Sequence, residues 1–79
     1  MARVLLFGRL ADQAGWRERE VEALDLSTLR ASIARTDPDL AGALVAPGVQ
    51  VAVDKAIVRG EAALSPASEV AFLPPMSGG

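Results

Sequence analysis

The apolar residues of this chain fall in short runs, and their spacing predicts strands flanking one principal helix. Arg3 to Phe7 carries Val4-Leu5-Leu6-Phe7 with apolar side chains on both faces, the pattern of a strand inside a sheet. Gly8 interrupts it. Leu10 to Ala14 fits one short helical turn, with Gly15 placed to cap its end. Trp16 to Leu24 reads as an outer strand on which Glu18, Glu20 and Glu22 share one face. That acidic row suits a docking surface, or more simply a solvated strand face.

Ser27 is predicted as the N-cap of the main helix, Thr28 to about Thr36. Leu26 just before it is placed to staple against Ala31, and Leu29 and Ile33, four apart, form the buried stripe. Arg30 stands where a capping-box Glu would sit. Asp37-Pro38 ends the helix, because a residue before proline avoids the α region. Asp39 is predicted to cap a second short helix carrying Leu40 and Leu44, ended by Pro47-Gly48. Val49, Val51 and Val53 alternate along a further strand. Asp54-Lys55 then makes a turn into Ala56-Ile57-Val58. Arg59 to Ser68 is a connection from which Leu64 plugs the core, and Val70-Ala71-Phe72-Leu73 is the last strand. The pattern alone describes an α+β domain, a mixed sheet with one main helix packed on it.

Composition narrows the functional classes. At 79 residues the chain makes one domain, and with 51% apolar residues it can fill one core. A net charge of −2 with scattered arginines lacks the basic stripe of a nucleic-acid binder. Val4 to Phe7 is too short for a secretory core of about 7–15 apolar residues. No apolar run approaches a membrane span, and Ala2 excludes a myristoylation signal. The expectation is a cytoplasmic protein that binds neither nucleic acid nor membrane. With no His and no Cys, nucleophile pairs built on them and thiolate metal sites are excluded. Asp37 and Asp39 flank a proline and read as caps rather than an acid–base pair, and Asp54-Lys55 reads as a turn.

The one group with a chemical task to offer is at the end of the chain. Pro74-Pro75-Met76-Ser77-Gly78-Gly79 follows the last strand. The prolines end the strand and hold its exit extended. Gly78 and Gly79 leave the tip without side chains. An idle chain end is also rich in Gly and Ser, but it has no need of a rigid root. The boundary is predicted at 1–73 for the domain and 74–79 for the tail. A terminal carboxylate, with a pKa of about 3.3–3.7 in model compounds, is ionised at pH 7. It can attack the α-phosphate of ATP on a partner enzyme. The resulting acyl-adenylate is open to a nucleophile supplied from outside.

Glu69-Val70-Ala71-Phe72-Leu73-Pro74-Pro75-Met76-Ser77-Gly78-Gly79 resembles the C-terminus of the small subunit of molybdopterin synthase. Val4-Leu5-Leu6-Phe7-Gly8 and Val51-Ala52-Val53-Asp54-Lys55 resemble that family too, so the likeness covers essentially the whole chain. It implies a ubiquitin-like β-grasp fold and a sulfur carrier for molybdenum cofactor biosynthesis. Gly79 would be adenylated and converted to a thiocarboxylate. Pro74, Pro75, Met76, Ser77 and Gly78 would thread into the partner's active site.

The resemblance also implies two partners, an adenylating, ubiquitin-activating-like enzyme that uses ATP and a large synthase subunit in a heterotetramer. The chain itself binds no cofactor or metal and holds no catalytic residue. It implies in addition that the outer face of the sheet, around Phe7 and Leu73, meets both partners. Related carriers for thiamin, tRNA thiolation or protein conjugation share the tail chemistry. A non-covalent ubiquitin-fold interaction module is the alternative from a different class.

Overall fold

The structure is a computed structural model that describes residues 1–75; Met76, Ser77, Gly78 and Gly79 lie outside the described residues. Five strands and three helices follow one another as β1 (Ala2–Leu6), α1 (Gly8–Ala14), β2 (Glu18–Val21), α2 (Leu26–Thr36), α3 (Pro38–Leu44), β3 (Gln50–Val53), β4 (Ala56–Val58) and β5 (Glu69–Leu73). The strands form one mixed sheet in the order β2-β1-β5-β3-β4. The first and last strands are parallel neighbours at its centre, with Leu6 beside Phe72, and every other pairing is antiparallel. This is the β-grasp arrangement.

Alternation divides the sheet into two faces. Val4, Leu6, Val70, Phe72 and Val51 point into the core with Leu26, Leu29 and Ile33 of α2 and Leu40 and Leu44 of α3. Leu64, from the long connection before β5, fills the same core. Full burial of each such aliphatic or aromatic side chain stabilises the fold by about 1.5–3 kcal/mol. The centre of the sheet is therefore where the chain is most firmly held.

Several boundaries differ from those predicted. β1 ends at Leu6, so Phe7 lies just past the strand as the extended residue before α1, with φ −122° and ψ 154°. α1 opens at Gly8 rather than Leu10, and Gly15 ends it in the left-handed region, donating its N–H to the Ala11 carbonyl at 2.9 Å. The outer strand β2 covers only Glu18–Val21.

The cap of α2 is Asp25, not Ser27; the Asp25 carboxylate accepts from the Thr28 N–H at 2.8 Å. Leu26 is consequently the first helical residue and is buried in its own right, not a staple outside the helix. Asp37, not Asp39, caps α3, its side chain accepting from Leu40 N–H at 3.0 Å; Asp39 sits in the first turn. Asp37 has left helical geometry, with φ −149° and ψ 80°, as a residue before proline must. One residue thus ends α2 and starts α3.

The β3–β4 turn has positive φ at both Asp54 (50°) and Lys55 (72°), as a two-residue hairpin of the twist-compatible type requires. Asp54 tolerates this because it is tied to the start of β5. Its N–H donates to the Glu69 carbonyl at 2.8 Å, and its side chain accepts from the Glu69 N–H at 2.9 Å.

Candidate functional site

The tail root leaves the centre of the sheet. β5 lies between β1 and β3, so Pro74 and Pro75 emerge at the ends of two firmly paired strands. Continuing the β1–β5 register by two residues from Leu6↔Phe72 sets Gly8 beside Pro74. Continuing the β3–β5 register from Gln50↔Leu73 sets Gly48 beside Pro75. Both prolines are half-buried. The predicted attachment point Gly79, and Met76, Ser77 and Gly78 of the predicted threading segment, lie outside the described residues.

The sheet face turned away from the helices is built in rows. The register aligns Leu5, Ala71, Ala52 and Ile57 across four strands, an apolar row directly on the open face. Ala52 is buried yet takes no part in the core cluster under the helices, which fits its place in this row. Towards the tail the next row begins with Phe7, follows with half-buried Leu73 and ends at Gln50. Phe7 is 45% exposed and Ile57 48% exposed. Alternation along the last strand puts Ala71 on the same side as Leu73, but nothing in sequence periodicity singled out Ala52 or Ile57 for this surface. Only the strand order, which no local pattern encodes, brings them together.

At the opposite end of β1 and β5 the same face is charged. Arg3 lies between Glu20 and Glu69 in the register. It forms ion pairs with Glu18 at 3.3 Å and Glu69 at 2.9 Å. The hydrogen bond to Glu69, then the charge of Glu18, raise the Arg3 pKa. Glu18 and Glu20 of the acidic row are thus engaged with or adjacent to Arg3, and pairing of this exposed kind contributes little to stability. The face therefore grades from charged, where β5 begins, to apolar, where the tail departs.

A second polar cluster surrounds the start of α2. The Glu61 carboxylate accepts from the N–H groups of Leu26 (2.9 Å) and Ser27 (3.2 Å), and from the Ser27 hydroxyl at 2.6 Å. This acceptor comes from a distant loop instead of from the helix itself. Glu61 is held below its ordinary pKa, chiefly by the Ser27 hydroxyl and then by the Ala62 N–H. Asp25 is lowered chiefly by its bonds to Thr28. Both carboxylates are acceptors whose bonds are already committed to a helix cap.

A groove of about 560 Å³ lies between the start of β1 and α2, lined by Met1, Leu24 and Pro66 with Glu22, Asp25 and Thr28. It is at the far end of the sheet from Pro74 and contains no nucleophile–base set. Among the described residues no group of acidic side chains could hold a metal ion. Nor is any described helix long and apolar enough to cross a membrane.

Comparison with known proteins agrees with this topology. The sequence model of the ThiS family matches residues 4–79. The structure is similar to that of small archaeal modifier protein 1 from Methanosarcina acetivorans, with a TM-score of 0.86 and 21% identity over 99% of this chain and 95% of that one. It is equally similar to the small archaeal modifier protein 1 of Haloferax volcanii, with a TM-score of 0.85 and 22% identity over 99% of this chain and 98% of that one. No curated protein matches the sequence.

Proposed function

The chain belongs to the ThiS family, and on that premise we propose that it is a sulfur carrier whose Gly79 carboxylate is the working group. The observation that carries this reading is that the family match runs through residue 79 and includes the Gly78-Gly79 end. The carboxylate oxygen attacks the α-phosphate of ATP on an adenylating partner, and pyrophosphate leaves. A sulfide-level nucleophile from outside then displaces AMP, and Gly79 becomes a thiocarboxylate. The thiocarboxylate sulfur attacks an electrophilic carbon of the acceptor and displaces an oxygen leaving group from it, forming a thioester. Water cleaves the link to the Gly79 carbonyl, which restores the carboxylate and leaves sulfur on the acceptor. Side chains of this chain take no part in the chemistry; they dock and aim the tail.

For the acceptor we favour the sulfur-free pterin precursor that a large synthase subunit converts to the dithiolene of molybdopterin. The support is the Pro74-Pro75-Met76-Ser77-Gly78-Gly79 end. The apolar rows around Phe7 and Leu73 lie beside the tail root, the position a partner surface needs if it is to hold the domain while the tail enters a site. A second reading, a carrier for thiamin or tRNA thiolation or a protein modifier, is supported by the family match and by the likeness to the small archaeal modifier proteins. It uses the same tail chemistry with another acceptor.

Adding one residue after Gly79 tests the carrier reading. It displaces the reacting carbonyl by roughly 3.3–3.6 Å, where about 1 Å of misplacement costs on the order of 10²-fold in rate. Sulfur transfer by the extended chain should vanish while its melting temperature stays that of wild type. Full transfer by an untrimmed extended chain contradicts the reading. Reconstitution with a large synthase subunit, set against thiamin and tRNA thiolation assays, assigns the acceptor.

A further inference from the structure

We propose that Gly8 and Gly48 are positioning residues: together they form a seat without side chains that receives Pro74 and Pro75 and sets the direction in which the tail leaves the sheet. Two independent registers lead there, since β5 runs parallel to β1 and antiparallel to β3, and each neighbour brings a glycine to a proline. The fit is close. A Cβ at Gly48 would stand 2.7 Å from the Pro75 Cβ and 3.3 Å from its Cγ. A Cβ at Gly8 would stand 3.1 Å from the Pro74 Cγ.

Positive φ alone does not account for these two glycines. Gly15 and Gly60 also have positive φ, 83° and 80°, but a Cβ there would meet nothing within 4 Å. Gly8 and Gly48 combine positive φ, 55° and 88°, with a close neighbour: a methyl group at Gly48 would clash outright, and one at Gly8 would need its neighbour to give by a few tenths of an ångström. That neighbour is a proline ring in both cases. Ring puckering moves chiefly Cγ, whereas the Pro75 Cβ that Gly48 faces is held by its own Cα within the closed ring and has no rotamer through which to move aside. The chain itself must shift instead, on the order of 1 Å if carbon–carbon contacts are to return to about 3.5–4.0 Å. Seating two stiff residues between α1 and the loop before β3 fixes the base of the tail before any partner binds, which lowers the entropy lost on entry.

The functional half of this inference rests on the carrier reading; the structural half does not. The direct test is the set of one-bond Cα–Hα residual dipolar couplings of Pro74 and Pro75 in the isolated, ¹³C-labelled chain. In wild type and in Gly60→Ala, the control for positive φ, both couplings should fit the alignment of β5. Gly48→Ala should move the Pro75 coupling off that alignment while β5 itself keeps its values. Pro75→Gly leaves the core untouched and should bring the coupling at position 75 towards zero, so the seat stays testable even if Gly48→Ala folds poorly. Wild-type couplings already averaged to near zero, or unchanged couplings in Gly48→Ala, overturn the seat.

The second arm is adenylation by the activating partner. Gly48→Ala should lower kcat on the order of 10- to 100-fold, with KM, set by the docked domain, unchanged and Gly60→Ala like wild type. Failure of wild type to be charged contradicts the carrier reading, and the couplings still decide the seat. Normal charging of wild type together with full kcat for Gly48→Ala overturns the positioning role.

Discussion

The chain has two phenylalanines, and the sheet gives them opposite tasks. Phe72 is fully buried under α2, while Phe7 is 45% exposed on the other side. Truncating each to alanine should separate folding from docking. For Phe72→Ala the loss is that of a core aromatic, about 3–5 kcal/mol. A domain of this size has only about 4–12 kcal/mol in total at 0.05–0.15 kcal/mol per residue.

For Phe7→Ala roughly half of the ring's transfer free energy is at stake in folding, about 1 kcal/mol. At about 4–8 °C per kcal/mol for a small domain, that lowers Tm by a few degrees. The exposed half is available to a partner. Covering it contributes about 1 kcal/mol by area, and about 2 kcal/mol if the ring acts as a central anchor. The expected weakening is then about 5- to 30-fold in Kd.

Thermal and urea unfolding give the first quantity, and titration calorimetry against the two proposed partners, an adenylating enzyme and a large synthase subunit, gives the second. Phe72→Ala should be largely unfolded or strongly destabilised. Phe7→Ala should remain folded with impaired binding to both partners. Wild-type affinity of Phe7→Ala, or destabilisation equal to that of Phe72→Ala, refutes the division of the two faces.

Stability should fall on acidification because Asp25 and Glu61 are both held below their ordinary pKa values of 3.8 and 4.5 in the folded chain. A depressed folded pKa means that the unfolded chain binds protons first. The contribution is therefore complete above about the ordinary values and is lost as pH falls through the folded ones. Urea midpoints between pH 6 and pH 3 should show this slope in wild type and a shallower one in Glu61→Gln; parallel slopes would remove Glu61 from the account. Lys55→Gly should raise stability by about 1 kcal/mol, because it relieves a left-handed conformation that a non-glycine residue adopts at about that penalty. An unchanged or lower denaturation midpoint would show that the flexibility glycine gives the unfolded chain outweighs that relief.

Much of the fold was legible because its signals are local. The two-sided apolar runs at Val4–Leu6 and Val70–Phe72 do mark the paired central strands, and Leu29 and Ile33 do lie on the buried stripe of α2. Gly15 and the Asp54-Lys55 turn are where turn chemistry put them. The helix starts were misplaced by competition between neighbouring caps. Asp25 and Ser27 can both cap α2, and Glu61, remote in sequence, decides the outcome by accepting from Leu26 and Ser27. At α3, Pro38 fits the first helical position, so the cap is the residue before it, Asp37, two residues ahead of the predicted Asp39.

The tail root was legible in Pro74-Pro75, but its seat was not. Gly8 and Gly48 are separated in sequence by β2, α2 and α3 and meet the prolines only through two strand registers. Phe7 and Leu73 could be placed on a common surface from alternation, whereas Ile57 joins that surface only through β3 and β4.

The claim on which the rest depends is that the carboxylate of Gly79 becomes a thiocarboxylate. Its most direct test is the intact mass of the chain isolated from its native cells under conditions that preserve acyl sulfur, with the C-terminal peptide sequenced by fragmentation. The account predicts a fraction of chains heavier by the difference between one sulfur and one oxygen, the added mass confined to Gly79 and absent from a chain lacking that residue. A chain of unmodified mass throughout, in cells whose sulfur-carrier pathways are active, would contradict it.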